Sequence, residues 1–229
     1  MTVTWICPTW NRPKCLRELV RQFLAQDYPR ERLELLILDD AGQYENQRGD
    51  DGQGGHRWQL ISFDRPFPTL GDKYNALLSM VTTEAVVIAE DDDLYHPRHT
   101  AQHAQVLLDF SASKPSTVNV DHKGLHREPA AGRFHASMAA RTDLLRSLGG
   151  WPTNRRADFD LQMIAKLQRA FGQFGDPCLI DPEPTYTFTW EGSGHYHAQA
   201  YGRGPTDEGW LARARAAAGP VSFIGDLQL

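Results

Sequence analysis

The stretch Ala85-Val86-Val87-Ile88-Ala89-Glu90-Asp91-Asp92-Asp93 runs five small or β-branched apolar residues straight into four acids. A short continuous apolar run of this kind reads as a strand buried on both faces, the pattern of a parallel sheet. Four carboxylates at its end repel one another. At an effective dielectric of 20, each pair 4 Å apart costs about 4 kcal/mol. A hard divalent cation with oxygen ligands would offset that repulsion. Side chains alternate along a strand, so Asp91 and Asp93 are expected on one face, with Glu90 and Asp92 on the other. The carboxyl end of a buried parallel strand is where open α/β sheets bind ligands. The plain alternative is a solvated acidic turn before a helix start at His96-Pro97.

Working outward, residues 2–7 read as a strand and Pro8-Thr9-Trp10-Asn11-Arg12 as the turn after it. Pro13 suits the first turn of a helix, whose apolar face is Leu16, Leu19, Val20, Phe23 and Leu24. Residues 33–38 form a second strand that stops at Asp39-Asp40. The Gly-rich polar stretch 41–57 reads as a loop, and 58–63 as a third strand. A helix over 70–81 leads into the strand at 85–89. Alternating strands and helices imply a parallel sheet with right-handed crossovers. The second half is less regular. Helices are expected at 97–110, 142–148, 158–171 and 210–218, and strands at 116–120, 134–140 and 185–190. Thr142 is the expected cap of its helix, which Gly149-Gly150 closes. No internal repeat or long linker divides the chain, so one α/β domain is expected.

The composition is that of an ordinary globular chain: 229 residues, 41% hydrophobic and 23% charged. A net charge of −5 argues against a generally basic nucleic-acid or membrane binder. Cys7, Cys15 and Cys178 are odd in number and lack metal-type spacing, so they read as thiols in a reducing compartment. Met1 to Trp5 enters a strand without a basic leader or long apolar run. Neither a signal peptide nor a transmembrane helix is expected, and the expected location is cytoplasmic.

Pro8-Thr9, Asp39-Asp40 and Asp91-Asp92-Asp93 close successive strands, with Leu70-Gly71-Asp72-Lys73-Tyr74-Asn75 between the last two. Leu144 to Trp151 ends in Gly149-Gly150-Trp151, and Ala157-Asp158-Phe159-Asp160-Leu161 opens the next helix. In this order, the motifs resemble a family 2 glycosyltransferase of the GT-A fold over roughly residues 2–190. The resemblance implies a single Rossmann-related α/β domain over 1–229, a mostly parallel central sheet flanked by helices. Residues 1–95 would be the nucleotide-sugar-binding half, 96–205 the acceptor and catalytic half, and 206–229 a C-terminal helix and tail.

The same resemblance implies residue roles. Pro8, Thr9, Asn11 and Arg12 would bind the donor nucleotide, and Asp39 or Asp40 would accept the nucleobase N–H. Lys73 would meet the diphosphate. Asp91 would lie beside the ribose with Asp92 next to it. Asp93, with Asp91, would ligate Mn²⁺ or Mg²⁺, and the metal would act as Lewis acid for the departing nucleoside diphosphate. Asp158 would be the general base that deprotonates the acceptor hydroxyl, with inversion at the anomeric carbon. Ala157 departs from the family's Glu at that position. His195 and His197 lie in a Gly-bounded loop over 191–203, expected to close over the donor and to offer a late metal ligand.

Other features carry less. His99 and His103 are four apart on a helix, a metal-compatible spacing without a third ligand nearby. Trp10, Trp151 and Trp190 could stack on sugar rings, although such residues are usually core. The expected partners are a nucleotide-sugar donor, a UDP-sugar by preference, and a glycan or other hydroxyl-bearing acceptor. The acidic balance does not support a nucleic-acid acceptor. Two rival readings remain. A nucleotidyltransferase would need a Gly-rich phosphate loop after the first strand, and Cys7 to Arg12 contains no Gly. A non-catalytic sugar-nucleotide or carbohydrate-binding module would not need the Asp91, Asp93 and Asp158 set.

Overall fold

The computed structural model describes residues 1–50, 55–156 and 158–189. The expected helix at 210–218 and the loop at 191–203 with His195 and His197 lie outside them, as does Trp190. Strands β1 (Val3–Thr9), β2 (Leu33–Asp39), β3 (Gln47–Gly49), β4 (Arg57–Ser62) and β5 (Ala85–Ile88) belong to one seven-stranded sheet. β7 (Ala112–Ser113) and β10 (Ala139–Arg141) complete it in the order β3-β4-β2-β1-β5-β10-β7. The four central strands β4, β2, β1 and β5 are parallel. β3 and β10 join antiparallel. The mostly parallel α/β expectation is met. The chain winds from β1 outward to β4, then crosses back to β5 on the other side of β1. The topological switch point therefore lies between β1 and β5, at their carboxyl ends.

Period-2 alternation sorts the sheet residues into two apolar layers. Trp5, Cys7, Leu35, Ile37, Ala85 and Val87 face α1 (Pro13–Leu24) and α3 (His99–Val106). Ile6, Leu36, Leu38, Val86 and Ile88 face α2 (Leu70–Met80), α4 (Thr142–Ser147) and α5 (Phe159–Phe171). A second, four-stranded sheet is ordered β6-β11-β8-β9, from β6 (Leu94–Tyr95), β11 (Tyr186–Thr189), β8 (Thr117–Asp121) and β9 (Leu125–Pro129). No helix among the described residues is long and apolar enough to cross a membrane.

Three expectations change. The segment expected as a strand over 134–140 splits into a 3₁₀ turn at His135–Ser137 and the short β10, because Phe134 adopts a left-handed conformation at φ 57°. Thr142 is the first helical residue of α4 rather than its cap, and its hydroxyl is buried without a partner. The expected loop 41–57 contains the edge strand β3, whose Gln47, Arg48 and Gly49 follow no apolar alternation.

α2 is fixed to the sheet by polar ties. Lys73 is fully buried, and its ammonium donates to the Thr9 carbonyl at 2.5 Å and to Asp40 Oδ1 at 2.5 Å. Asn75 donates to the Trp151 carbonyl at 3.0 Å and accepts from the Trp151 N–H at 2.7 Å. The approach is close. A Cβ on Gly71 would lie 1.8 Å from the Pro152 carbonyl oxygen, and Gly150, at φ 68°, would meet Asn75 Oδ1 at 2.1 Å. The two motifs 70–75 and 149–151 thus meet through backbone positions only glycine can occupy.

α3 buries two histidines of its own. His99 Nδ1 pairs with Thr185 Oγ1 at 3.0 Å, and His103 Nδ1 with Ser113 Oγ at 2.8 Å. Among the described residues, neither histidine joins a metal-type group. Burial, assisted by Lys114, pushes His103 down to about 3, so it is neutral in the fold.

Two stability predictions follow from these buried groups. Removing one partner of a buried ion pair strands the other charge, so Lys73→Met should cost about 3–5 kcal/mol in denaturant unfolding. Lys73→Met combined with Asp40→Leu should recover much of that loss, whereas additive losses would mean that the pair is not coupled. For His103, the unfolded chain binds a proton below about pH 6.5 that the folded chain refuses, so its burial costs stability as pH falls. Between pH 7 and pH 5, the cost grows by about 2 kcal/mol. His103→Gln should remove that increment, read as the difference between the two unfolding-versus-pH curves; parallel curves would refute it.

Candidate functional site

The site is assembled where β1, β2 and β5 end. β5 stops at Ile88, and Asp91-Asp92 turn out of the sheet. The alternation expected for an extended strand therefore lapses before the acids. Asp91 and Asp93 are held by different elements, Asp91 by Thr9 and Arg12 and Asp93 by Tyr186 and Thr189. Glu90, Asp92 and Asp93 each present a carboxylate oxygen within 4.8 Å of the others, the one metal-type group of three among the described residues. Of the expected ligands, Asp93 belongs to this group, together with Glu90 and Asp92, and Asp91 lies outside it. Three carboxylates so placed could hold a metal ion.

Asp91 is buried and committed elsewhere. Thr9 Oγ1 donates to its Oδ2 at 2.5 Å, and Arg12 Nη1 donates to its Oδ1 at 3.0 Å. The same Arg12 nitrogen reaches Asp92 Oδ2 at 2.5 Å. Burial and the neighbouring Asp92 push Asp91 up to about 6, with Arg12 and Thr9 opposing. Asp91 and Asp92 in turn raise the guanidinium of Arg12 against its own burial. Asn11, at φ 51°, makes the left-handed turn that brings Arg12 round to the acids, a conformation Asn tolerates better than most residues.

Asp93 is 1% exposed and held from the second sheet. Tyr186 donates its hydroxyl to Oδ2 at 2.5 Å, and the Thr189 N–H donates to Oδ1 at 3.0 Å. Thr189 Oγ1 also donates to the Asp92 carbonyl. Burial and Asp92 push the Asp93 carboxyl well up, with Tyr186 and Thr189 opposing. Glu90 is pushed up by burial, then by Asp93, Asp92 and Asp160. Neither Tyr186 nor Thr189 carries a sequence signal for this role, since β11 reaches Asp93 only through its pairing with β6 and β8.

At the end of β2, Asp40 gives Oδ1 to Lys73, and its Oδ2 accepts the Phe67 N–H at 2.9 Å. Lys73, expected at a diphosphate, spends its ammonium on Asp40 and Thr9 inside the fold. Asp39 is fully buried. Its Oδ2 accepts from Ser62 Oγ at 2.7 Å and from the Ala41 N–H at 3.2 Å, while Oδ1 has no partner. Burial raises Asp39. Of the two neighbours, Asp39 holds the unpartnered acceptor. Pro8 pairs with Leu38 in the sheet, next to Thr9.

At the start of α5, Asp158 sits in the cap position without a capping bond. Arg156 grips both its oxygens, at 2.9 and 3.0 Å, and Gln162 donates to Oδ1 at 2.8 Å. Arg156 and Gln162 lower Asp158, whereas burial raises Asp160. Trp151 is 2% exposed and stacks on Tyr74 with ring centroids 4.9 Å apart, so it is core rather than a sugar platform.

No curated protein matches the chain. Solved structures do. TarS 1–349 from S. aureus, in complex with UDP-GlcNAc, superposes with a TM-score of 0.65 at 16% identity, covering 95% of this chain and 66% of that one. The mannosyltransferase PcManGT from Pyrobaculum calidifontis, in complex with GDP-Man and Mn²⁺, gives 0.58 at 19% identity, covering 94% and 68%. The chain spans 60% of the TarS 1–349 structure without ligand and 38% of the longer TarS structure. At these identities, the likeness establishes the fold. The glycosyl transferase family 2 profile matches residues 4–156, well over half of the chain. With the motif order, the switch-point acids and this match in agreement, the chain belongs to glycosyl transferase family 2 and carries the GT-A fold.

Proposed function

We propose that the protein transfers a sugar from a nucleotide-sugar donor to an acceptor hydroxyl, with a divalent cation and inversion at the anomeric carbon. The observation that carries this reading is the Glu90, Asp92 and Asp93 group at the carboxyl end of β5, beside the family match. The neighbouring structures add support, since TarS was crystallised with UDP and UDP-GlcNAc and PcManGT with GDP-Man and Mn²⁺.

The residues fit a hard cation. Three carboxylates converge, oxygen donors suit Mn²⁺ or Mg²⁺, and mutual repulsion favours whatever neutralises them. When bound, the ion supplies Lewis-acid charge against the leaving diphosphate. The chain's own groups do the rest. Asp39 Oδ1 is the open acceptor for a nucleobase N–H, and Asp40, clamped by Lys73, holds the end of β2 in place. Asp91, fixed by Thr9 and Arg12, serves the ribose side. Arg12 also restrains Asp92. Asp158 accepts the proton of the attacking hydroxyl after exchanging its Arg156 partner for the acceptor. Its lowered proton affinity keeps it ionised, and proximity to the reacting oxygen supplies the driving geometry.

A nucleotidyltransferase loses support from the family match. A non-catalytic binder is separated by turnover, since it would bind donor without releasing free nucleotide. The experiment is a donor screen, UDP- and GDP-sugars with Mn²⁺ or Mg²⁺, reading nucleoside diphosphate release with and without saccharide acceptors. Activity should vanish in excess chelator and return with added Mn²⁺; full activity with chelator present overturns the metal reading. Asp93→Ala and Asp92→Ala should each weaken Mn²⁺ binding at least tenfold, an effect of about 1.4 kcal/mol. Asp91→Asn should leave it within a few-fold, and a larger loss there would restore Asp91 to the ligand set. Asp158→Asn should keep donor binding and lower the transfer rate by about 10²–10⁴. A rate loss confined to Asp160→Asn would move the base to that residue.

A further inference from the structure

Glu90, Asp92 and Asp93 stand beyond the end of β5, and the second sheet reaches all three. The Ala89 N–H still donates to the Ile6 carbonyl of β1 at 3.0 Å. One residue later, the Glu90 N–H donates to the Tyr95 hydroxyl of β6 at 2.8 Å. Thr189 of β11 donates its hydroxyl to the Asp92 carbonyl. Tyr186 of β11 donates its hydroxyl to Asp93 Oδ2 at 2.5 Å, and the Thr189 N–H donates to Oδ1 at 3.0 Å. Arg12 ties the Asp92 carboxylate from the opposite side.

The groups that do the holding are themselves fixed. Tyr186 and Tyr95 are direct partners in the β11–β6 ladder, with ring centroids 5.6 Å apart, and both are buried. The Tyr95 ring also packs on Trp5, with centroids 5.0 Å apart, and the Tyr95 N–H donates to Gln22 Oε1 of α1 at 2.6 Å. Next to Tyr186, the Thr185 carbonyl accepts the His96 N–H at 2.8 Å, and Thr185 Oγ1 pairs with His99 Nδ1 of α3 at 3.0 Å. A hydroxyl on a close-packed ring cannot follow a ligand that moves. Repulsion drives the three carboxylates apart, and these hydrogen bonds oppose it.

Rigidity of this kind discriminates between cations. Mg²⁺ takes oxygens at about 2.0–2.1 Å in near-octahedral geometry, whereas Ca²⁺ takes them at about 2.3–2.6 Å in a looser shell. Resting on the metal reading above, we propose that Tyr95 and Tyr186 are positioning residues that hold Glu90 and Asp93 close enough for a small cation, so that the second sheet sets a preference for Mg²⁺ over Ca²⁺. Neither tyrosine touches the ion. Each acts through the acid it holds.

The test is cation binding to the full chain, with and without UDP or GDP. Mn²⁺ is read from loss of its free-ion EPR signal, and Mg²⁺ and Ca²⁺ by displacement of Mn²⁺. Tyr186→Phe keeps the packed ring and removes the hydroxyl. It should weaken Mg²⁺ by about tenfold, the usual effect of removing a group that orients a metal ligand. Ca²⁺ should change by less than about twofold, because its shell adapts to a displaced oxygen. Tyr95→Phe should lower the Mg²⁺-to-Ca²⁺ ratio in the same sense by a smaller factor, since it acts through a backbone N–H. Tyr74→Phe is the control: its buried hydroxyl has no partner, and the ratio should stay at the wild-type value. The ratio is decisive because losing a hydrogen bond from Asp93 alters its charge density for both ions alike. An unchanged ratio in Tyr186→Phe overturns the proposal. So does an equal loss of both ions with a lowered unfolding midpoint, which would make the tyrosine a support of the fold alone. A wild-type chain that binds Mn²⁺ neither alone nor with nucleotide overturns the metal reading itself, and this inference with it.

Discussion

Carboxylates cannot be crowded at the end of a buried strand unless something holds them there. At a separation of 4 Å, each pair costs about 4 kcal/mol even with substantial screening. The rest of the architecture answers that constraint. From β1 come Thr9 and, one turn later, Arg12, which restrain Asp91 and Asp92. From the second sheet come Tyr186 and Thr189, which restrain Asp93. Burial first, and then the neighbouring carboxylates, raise the proton affinities of Glu90, Asp91 and Asp93. A divalent cation would relieve the mutual repulsion most directly, so the same strain that the fold tolerates would favour metal binding.

The second constraint is positional. The groups that make up the site come from β1, β2, β5, α2, α5 and β11, which are distant in sequence. Lys73 gathers three of these elements, since one ammonium on α2 reaches the end of β1 and the end of β2. Asn75 gathers a fourth by pairing with both backbone groups of Trp151, just ahead of α5. Motif 70–75 thus works as a bracket. Its charged residue holds the ends of β1 and β2, and its amide residue holds the segment just ahead of α5. The price is that Lys73 is buried and not available as a surface cation.

Much of this was legible in the chain. Apolar runs identified β1, β2 and β5, the last two leading into acids, and their alternation with helices implied the parallel sheet that is found. The motif order pointed to family 2 before any coordinate was considered. β3, β7 and β9 were not legible, because a short edge strand is stabilised by its partner's hydrogen-bonding edge rather than by a pattern of its own. The strand at 134–140 was overestimated because Phe134 takes a left-handed turn that its residue type does not announce.

What the sequence determined by itself is whatever depends on local periodicity and residue chemistry. That covers the α/β class, the position of acids at strand ends and the kinship to family 2. What only the tertiary structure decided is which acids act together and which are already engaged. β5 ends at Ile88, one residue before the strand end expected at Ala89, and the chain turns. That turn groups Glu90 with Asp92 and Asp93 and gives Asp91 to Thr9 and Arg12. Asp39 and Asp40 are chemically identical neighbours, yet one keeps an open oxygen and the other is clamped by a lysine 33 residues away. The physical reason is range. Strand and helix periods are set by bonds within a few residues, whereas a carboxylate's partners are set by folding that joins residues tens of positions apart.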